Sequence, residues 1–200
     1  MTYILGLTGG IATGKSTVSA YLKTKGAQII DADLLAREVV KPKTKGWQEI
    51  IAVFGNEVLS ADLTLNRQKL GQLVFADAAK LKQLNQITGP LIHALFLQEI
   101  AEAKKRDVRL LVLDIPLLFE NNYQQLCDSV MVLIIPEKLQ IQRVMKRDNL
   151  TMQQARQRIA SQMPDEQKRK LADVVIDSSQ QPSKTCLAVQ KWLDLKNLTK

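Results

Sequence analysis

Short apolar runs alternate with longer amphipathic stretches along this chain of 200 residues. Five runs have the length of strands: 3–8, 27–31, 109–114, 129–135 and 173–176. Two of them, Leu110-Leu111-Val112-Leu113 and Val130-Met131-Val132-Leu133-Ile134-Ile135, are apolar at every position. A strand with one wet face would alternate; continuous apolarity predicts parallel strands covered on both faces. Helical spacing fills the intervals. The alternation of strand and helix predicts an α/β fold, doubly wound around a mainly parallel five-stranded sheet. In such sheets ligands bind beyond the carboxyl ends of the strands.

The intervals are unequal, and that adds two features. Residues 34–108 are too long for one crossover. They read as a helical insertion with helices over 34–40, 47–54, 67–75, 77–87 and 91–105. Its separators are Lys41-Pro42-Lys43-Thr44-Lys45-Gly46, Gly55-Asn56 and Thr88-Gly89-Pro90. Residues 137–171 form a second helical excursion, a candidate lid, in which Thr151-Met152-Gln153-Gln154 is a capping-box start. In the tail, Gln181 to Lys200, Pro182 marks a helix start, and Leu187, Val189, Trp192, Leu193 and Leu195 are expected to pack. The expected organisation is one domain: core 1–33, 109–136 and 172–200, insertion 34–108, lid 137–171.

Between the first strand and the helical stretch Ser16 to Lys25 lies Gly9-Gly10-Ile11-Ala12-Thr13-Gly14-Lys15-Ser16. This is the G-x-x-x-x-G-K-S phosphate loop in its proper context of strand, turn and helix. Its glycines let backbone N–H groups curl around an anion, and the helix that follows adds its positive dipole end. Lys15 is placed to reach the outer phosphates and the Ser16 hydroxyl to ligate Mg²⁺. The doubly wound sheet is therefore expected to be of the P-loop NTPase type. The chain contains no Asn-Lys-x-Asp guanine reader and no Asp-x-x-Gly switch, which disfavours a GTPase.

The formal net charge is +8 and the pI about 9.5. Nine basic and three acidic residues between Lys138 and Lys170 carry six of those eight charges. A concentrated basic lid suits a polyphosphate ligand. It lacks the interleaved aromatics of a single-strand nucleic-acid surface. Cys127 and Cys186 form no metal pattern and fit a reducing compartment as packed residues. The single histidine, His93, is expected on a helix surface or packed, not catalytic. No cleavable leader precedes the first strand, and no apolar run approaches membrane length. A soluble, cytoplasmic protein is expected, without membrane or nucleic-acid partners.

Three acids and four arginines carry the remaining candidate chemistry. Asp31 and Asp33 follow the second strand. Asp33 suits a base for, or orienter of, an attacking hydroxyl, and equally an N-cap for the next helix. Asp31 suits an orienting role or a water-mediated place in a magnesium shell. Leu110–Asp114 has the form of a strand that ends in a magnesium-holding acid. Arg143 and Arg147 share a helical face, with Arg156 and Arg158 in the next helix. Such guanidinium groups fork onto γ-phosphate oxygens, Arg147 being the first choice.

Taken together, these pieces resemble the dephospho-CoA kinase family. The matching strings are Gly6-Leu7-Thr8-Gly9-Gly10-Ile11-Ala12-Thr13-Gly14-Lys15-Ser16-Thr17-Val18, Asp31-Ala32-Asp33 with Ala36-Arg37, Leu65-Asn66-Arg67, and Pro90-Leu91-Ile92. Then come Asp114-Ile115-Pro116-Leu117-Leu118-Phe119-Glu120, Arg143 with Arg147-Asp148, Arg158 with Gln162, and Ala172–Asp177. The resemblance implies phosphoryl transfer from ATP, with Mg²⁺, to the ribose 3′-hydroxyl of dephospho-CoA. It implies ATP binding by Gly9, Ala12, Thr13, Gly14, Lys15, Ser16 and Thr17, with Arg143 and Arg147 from the lid. It places Asp33, Lys15 and Arg147 in catalysis, Asp33, Arg67, Pro116 and Leu117 on the dephospho-CoA side, and Ser16 and Asp114 at the metal. This chain departs from the family where Ala12-Thr13 replaces the common Gly-Ser. It also departs at Gly89, where a His is frequent, and at Ser178, where an Asn is frequent near the adenine. The alternatives are a nucleoside or nucleotide kinase of the same architecture, and a non-catalytic nucleotide- or nucleic-acid-binding module.

Overall fold

A computed structural model describes residues 1–198. The chain forms two compact units, one made of Met1–Asp31 with the chain from Ala103 onward, the other of Ala32–Glu102. The first holds a five-stranded sheet in the order β2-β3-β1-β4-β5. Its strands are β1 (Tyr3–Gly9), β2 (Gln28–Asp31), β3 (Leu110–Asp114), β4 (Ser129–Ile134) and β5 (Val174–Asp177), all parallel. Every residue of β3 and β4 is buried, as expected of strands covered on both faces. The central strand β1 pairs with β3 on one side and β4 on the other, so all three carboxyl ends open on the same edge.

Helix α1 (Lys15–Thr24) covers one face through Val18 and Leu22, both fully buried. Gly26, at φ 87°, ends it: the Gly26 N–H donates to the Lys23 carbonyl and the Ala27 N–H to the Leu22 carbonyl, a Schellman closure. The helix α9 (Pro182–Leu195) packs Val189, Trp192 and Leu193 into the same core. Trp192 meets Tyr3 edge-on at 6.2 Å between ring centres, so it is the packing anchor expected. Leu187 and Leu195 do not join that face; they are exposed, because the core takes only the stripe holding 189, 192 and 193. Thr199 and Lys200, the end of the expected tail, lie outside the described residues.

The second unit holds α2 (Ala32–Glu38), α3 (Lys45–Phe54), α4 (Arg67–Phe75) and most of α5 (Ala78–Lys105). Ile50, Phe54, Val58, Leu70 and Val74 make its core. Thr44 caps α3 and Asn66 caps α4, each accepting a backbone N–H three residues on. The expected break at Thr88-Gly89-Pro90 does not occur; α5 runs straight through Pro90. An internal proline costs about 3 kcal/mol, much of it from a clash with the preceding turn. A further clash, between the ring and the Cβ of the residue before it, is absent because that residue is Gly89.

The excursion after β4 belongs to the first unit and comprises α6 (Glu137–Asp148), α7 (Met152–Ala160) and α8 (Asp165–Leu171). The Thr151–Gln154 capping box is formed in both directions. Ile141, Val144 and Ala155 make a small core of their own beside Ile11 and Ala12.

Candidate active site

The loop from Gly9 to Lys15 leaves the carboxyl end of β1 and turns into α1. Gly14 at φ 89° is the residue before the helix, in the left-handed region that glycine enters without cost. Ala12 is also left-handed, at φ 61°. For an alanine this costs about 1–2 kcal/mol, so contacts around it must hold it. The Thr13 hydroxyl donates to the Gly10 carbonyl at 2.8 Å and closes the turn from within. From outside, the Ile11 N–H donates to Gln162 Oε1 at 2.8 Å, and Gln140 Nε2 donates to the Ile11 carbonyl at 3.0 Å. Arg143 reaches the Ala12 carbonyl at 3.4 Å and the Ser178 and Ser179 carbonyls at 3.3 and 3.4 Å. The buried Ser178 hydroxyl donates to the Thr13 carbonyl at 2.7 Å.

The Lys15 ammonium pairs with the Asp114 carboxylate, which is 4% exposed. Asp114 ends β3 in register with Leu7 of β1 and Asp31 of β2. The Ser16 and Thr17 side chains, in the first turn of α1, are exposed. After Asp114 the chain runs into Ile115, Leu118 and Phe119, all buried, which leave Pro116 half-buried and Leu117 exposed between them. The Thr8 hydroxyl donates to the Pro116 carbonyl at 3.1 Å, and the Ile115 N–H to the Leu7 carbonyl at 3.0 Å, so this loop is tied to β1 just before the phosphate loop.

At the end of α6, Arg147 makes a two-point bond to its neighbour Asp148 at 2.8 and 2.9 Å, and Arg158 pairs with the same carboxylate. The Arg147 hydrogen bonds, with the nearby charges of both arginines, hold Asp148 below the usual carboxylate range. Lys168, one of the nine basic residues between 138 and 170, is not on a solvated face. It is fully buried, 3.7 Å from Glu120, whose Oε1 also accepts the Met163 N–H at 2.9 Å. Asp165 Oδ1 would lie 2.9 Å from a Cβ placed on Gly10, and burial pushes its carboxyl above the usual range.

In the second unit, Asp33 is exposed in the first turn of α2. The backbone turns helical at Ala32, so Asp31 and Asp33 do not share a strand face, and Asp33 lies inside the helix, not at its cap. Arg67, the first residue of α4, is exposed, and His93 is exposed on α5. Cys127 is a packing group: burial pushes its thiol up to about 12. Among the described residues no cluster of three metal-ligating side chains occurs.

The first unit thus brings together Gly9, Ala12, Thr13, Gly14, Lys15, Asp114, Arg143 and Pro116. Gln140, Gln162 as a brace, and Ser178 as a brace were missed in the sequence. Gln140 had a signal, since it shares a helical face with Val144 on an otherwise apolar stripe and is 3% exposed. The family model for the dephospho-CoA kinases matches residues 3–183. The chain belongs to the dephospho-CoA kinase family. It is 48% identical to the dephospho-CoA kinase of Lactiplantibacillus plantarum over 201 residues, covering 100% of both chains. It is 45% identical to that of Enterococcus faecalis over 194 residues, covering 97% of each. The crystal structure of TT1252 from Thermus thermophilus is similar across 100% of this chain and 99% of that one, with a TM-score of 0.84 and 32% identity. The dephospho-CoA kinase from Campylobacter jejuni follows with a TM-score of 0.75 and 29% identity, covering 98% and 100%. The protein is therefore a kinase of the family that performs the final step of coenzyme A synthesis. Among the described residues no helix is long and apolar enough to cross a membrane.

Proposed function

We propose that this protein transfers the γ-phosphoryl group of ATP to the ribose 3′-hydroxyl of dephospho-CoA, giving coenzyme A and ADP in the cytoplasm. The observation that carries the reading is membership of the family over 3–183 together with a phosphate loop built at the carboxyl end of β1. The bond from the β,γ-bridging oxygen to the γ-phosphorus breaks, and a bond from O3′ forms. The ADP oxygen takes the charge, and the hydroxyl proton goes to a carboxylate. Transfer of this kind needs positioning and charge stabilisation more than covalent help from the protein.

The backbone N–H groups of Gly9 to Thr17 cradle the phosphates, and Lys15 neutralises them. Arg143 and Arg147 belong to the ATP side, with Arg147 the candidate for the transferring group once it exchanges Asp148 for phosphate oxygens. Asp33 accepts or orients the proton of the acceptor hydroxyl. Arg67, Pro116 and the exposed Leu117 contact dephospho-CoA. The helical insertion 34–108 serves that substrate and 137–171 serves as the lid. Ser16 and Asp114 are hard oxygen donors of the type Mg²⁺ prefers. The Asp114 carboxylate already supports a cation, Lys15, in a buried setting. Ser16 and Asp114 would hold Mg²⁺, which would supply positive charge to neutralise the phosphates during transfer.

A substrate panel tests the assignment. ADP formation with dephospho-CoA should exceed that with any nucleoside monophosphate. Faster transfer to a monophosphate would replace this reading with the nucleotide-kinase alternative.

A further inference from the structure

The phosphate loop of this chain contains a strained alanine, and side chains outside the loop grip the backbone around it. Gln140 Nε2 holds the Ile11 carbonyl at 3.0 Å, fixing the peptide plane that enters Ala12. Gln162 Oε1 holds the Ile11 N–H at 2.8 Å, fixing the plane before it. The φ of Ala12, 61°, lies between the plane that Gln140 holds and the next one, whose Ala12 carbonyl meets Arg143 at 3.4 Å and whose Thr13 N–H donates to the Gly10 carbonyl at 3.2 Å. Ile11 and Ala12 also pack against Ile141, Val144 and Ala155, so the loop rests on the base of the lid helices.

Both grips come from anchored positions. Gln140 is 3% exposed, one turn into α6, whose start follows directly from β4. Gln162 lies between α7 and α8, and the next N–H, that of Met163, donates to Glu120 at 2.9 Å. The carboxylate of Glu120 is 3.7 Å from the fully buried Lys168 of α8. The turn that carries Gln162 is thereby fixed from the other side.

We propose that Gln140 is a positioning residue for nucleotide binding: it holds the peptide plane that enters Ala12, against the next plane held by Arg143 and the Gly10 carbonyl, and so keeps Ala12 in the left-handed conformation that the phosphate cradle needs, while Gln162 steadies the plane before Ile11. A glycine at position 12 would adopt that conformation without help. The alanine makes this chain depend on the clamp. The inference rests on the reading that loop 9–17 holds the phosphates of ATP.

The test is a double-mutant cycle read by ADP binding with Mg²⁺, using calorimetry on the full chain: wild type, Gln140→Met, Ala12→Gly, and the double variant. Gln140→Met should weaken ADP by about tenfold, the left-handed penalty of an alanine that must then be met on binding. It should raise the KM for ATP by a similar factor and leave the KM for dephospho-CoA within about twofold. In the Ala12→Gly background the same substitution should cost no more than about threefold, because the conformation it protects no longer needs protection. Equal losses in both backgrounds, or no loss with Ala12 present, would overturn the proposal. If Gln140→Met fails to fold, Gln140→Asn, whose side chain is too short to reach the Ile11 carbonyl, gives the same reading. ADP binding is measured without dephospho-CoA. A wild type that binds ADP but does not phosphorylate dephospho-CoA therefore sinks the proposed function and leaves the clamp to be judged by the cycle.

Discussion

Gly9→Ala separates space from backbone freedom in the phosphate loop. A Cβ on Gly9 would lie 2.6 Å from the Thr13 hydroxyl and 2.8 Å from the Leu133 carbonyl oxygen. An ordinary carbon–oxygen contact is about 3.3 Å, so strand β4 or the loop must give by roughly 0.5 Å. Thr13 is buried and bonded to Gly10, and Leu133 is in register with Gly9 in the sheet, so neither yields cheaply. Overpacking of this kind costs about 1–3 kcal/mol, or a fall in Tm of about 3–10 °C for a chain of this size. The displaced loop carries the phosphate-binding amides, and misplacement on that scale lowers kcat/KM for ATP by about 10²-fold. Gly14→Ala is the control. Nothing lies within 4 Å of its Cβ, and only its φ of 89° opposes a side chain. That strain is about 1–2 kcal/mol with no neighbour displaced. Steady-state kinetics and thermal denaturation on both variants decide the matter. Wild-type Tm and kcat/KM in Gly9→Ala, or a larger loss in Gly14→Ala, would refute the steric argument.

Asp33→Asn should lower kcat by about 10²-fold or more with ATP affinity nearly intact, as expected of a lost base; a near-normal rate would reduce Asp33 to a helix-terminus residue. Lys15→Ala should damage ATP binding and transfer together. It should also lower Tm, because it strips a buried carboxylate, Asp114, of its cation; unchanged turnover would remove Lys15 from the site. Asp165 has a folded pKa above its unfolded value because of burial, so the folded state holds its proton more tightly. That contribution to stability is present below the ordinary aspartate pKa and is lost as pH rises through the folded value. Asp165→Asn should therefore gain Tm over wild type across that window and keep the gain at neutral pH. It should also bind ADP about threefold more tightly by removing a carboxylate beside Gly10. A Tm difference that does not change with pH would contradict the assignment.

The sheet was legible because parallel strands buried on both faces leave an uninterrupted apolar record: every expected strand is found within one residue at each end. Helix ends marked by local chemistry, such as Thr151–Gln154 and Gly26, were equally readable. The failures share a cause, which is that tertiary context overrode a local signal. Pro90 predicts a break, yet α5 continues through it, with Gly89 offering no Cβ to the ring. Lys168 counts among the basic residues expected to suit a polyphosphate, although it is buried beside Glu120, 48 positions earlier in the chain. Leu187 and Leu195 are apolar but point away from the stripe that packs. At the site, the motif located the loop, and the departure from the family at Ala12 marked the residue that proves left-handed. The braces from Gln140, Gln162 and Ser178 are 129, 151 and 165 positions away in sequence, and no spacing rule links them to it.

The position of the transferred phosphate is decisive for the proposed function. Incubation of the protein with ATP, Mg²⁺ and dephospho-CoA, followed by phosphorus NMR and chromatography of the product, should give ADP and coenzyme A in equal amounts with the new phosphate on the ribose 3′-oxygen. ATP consumption without a 3′-phosphorylated product, or a phosphate on any other position, would contradict it.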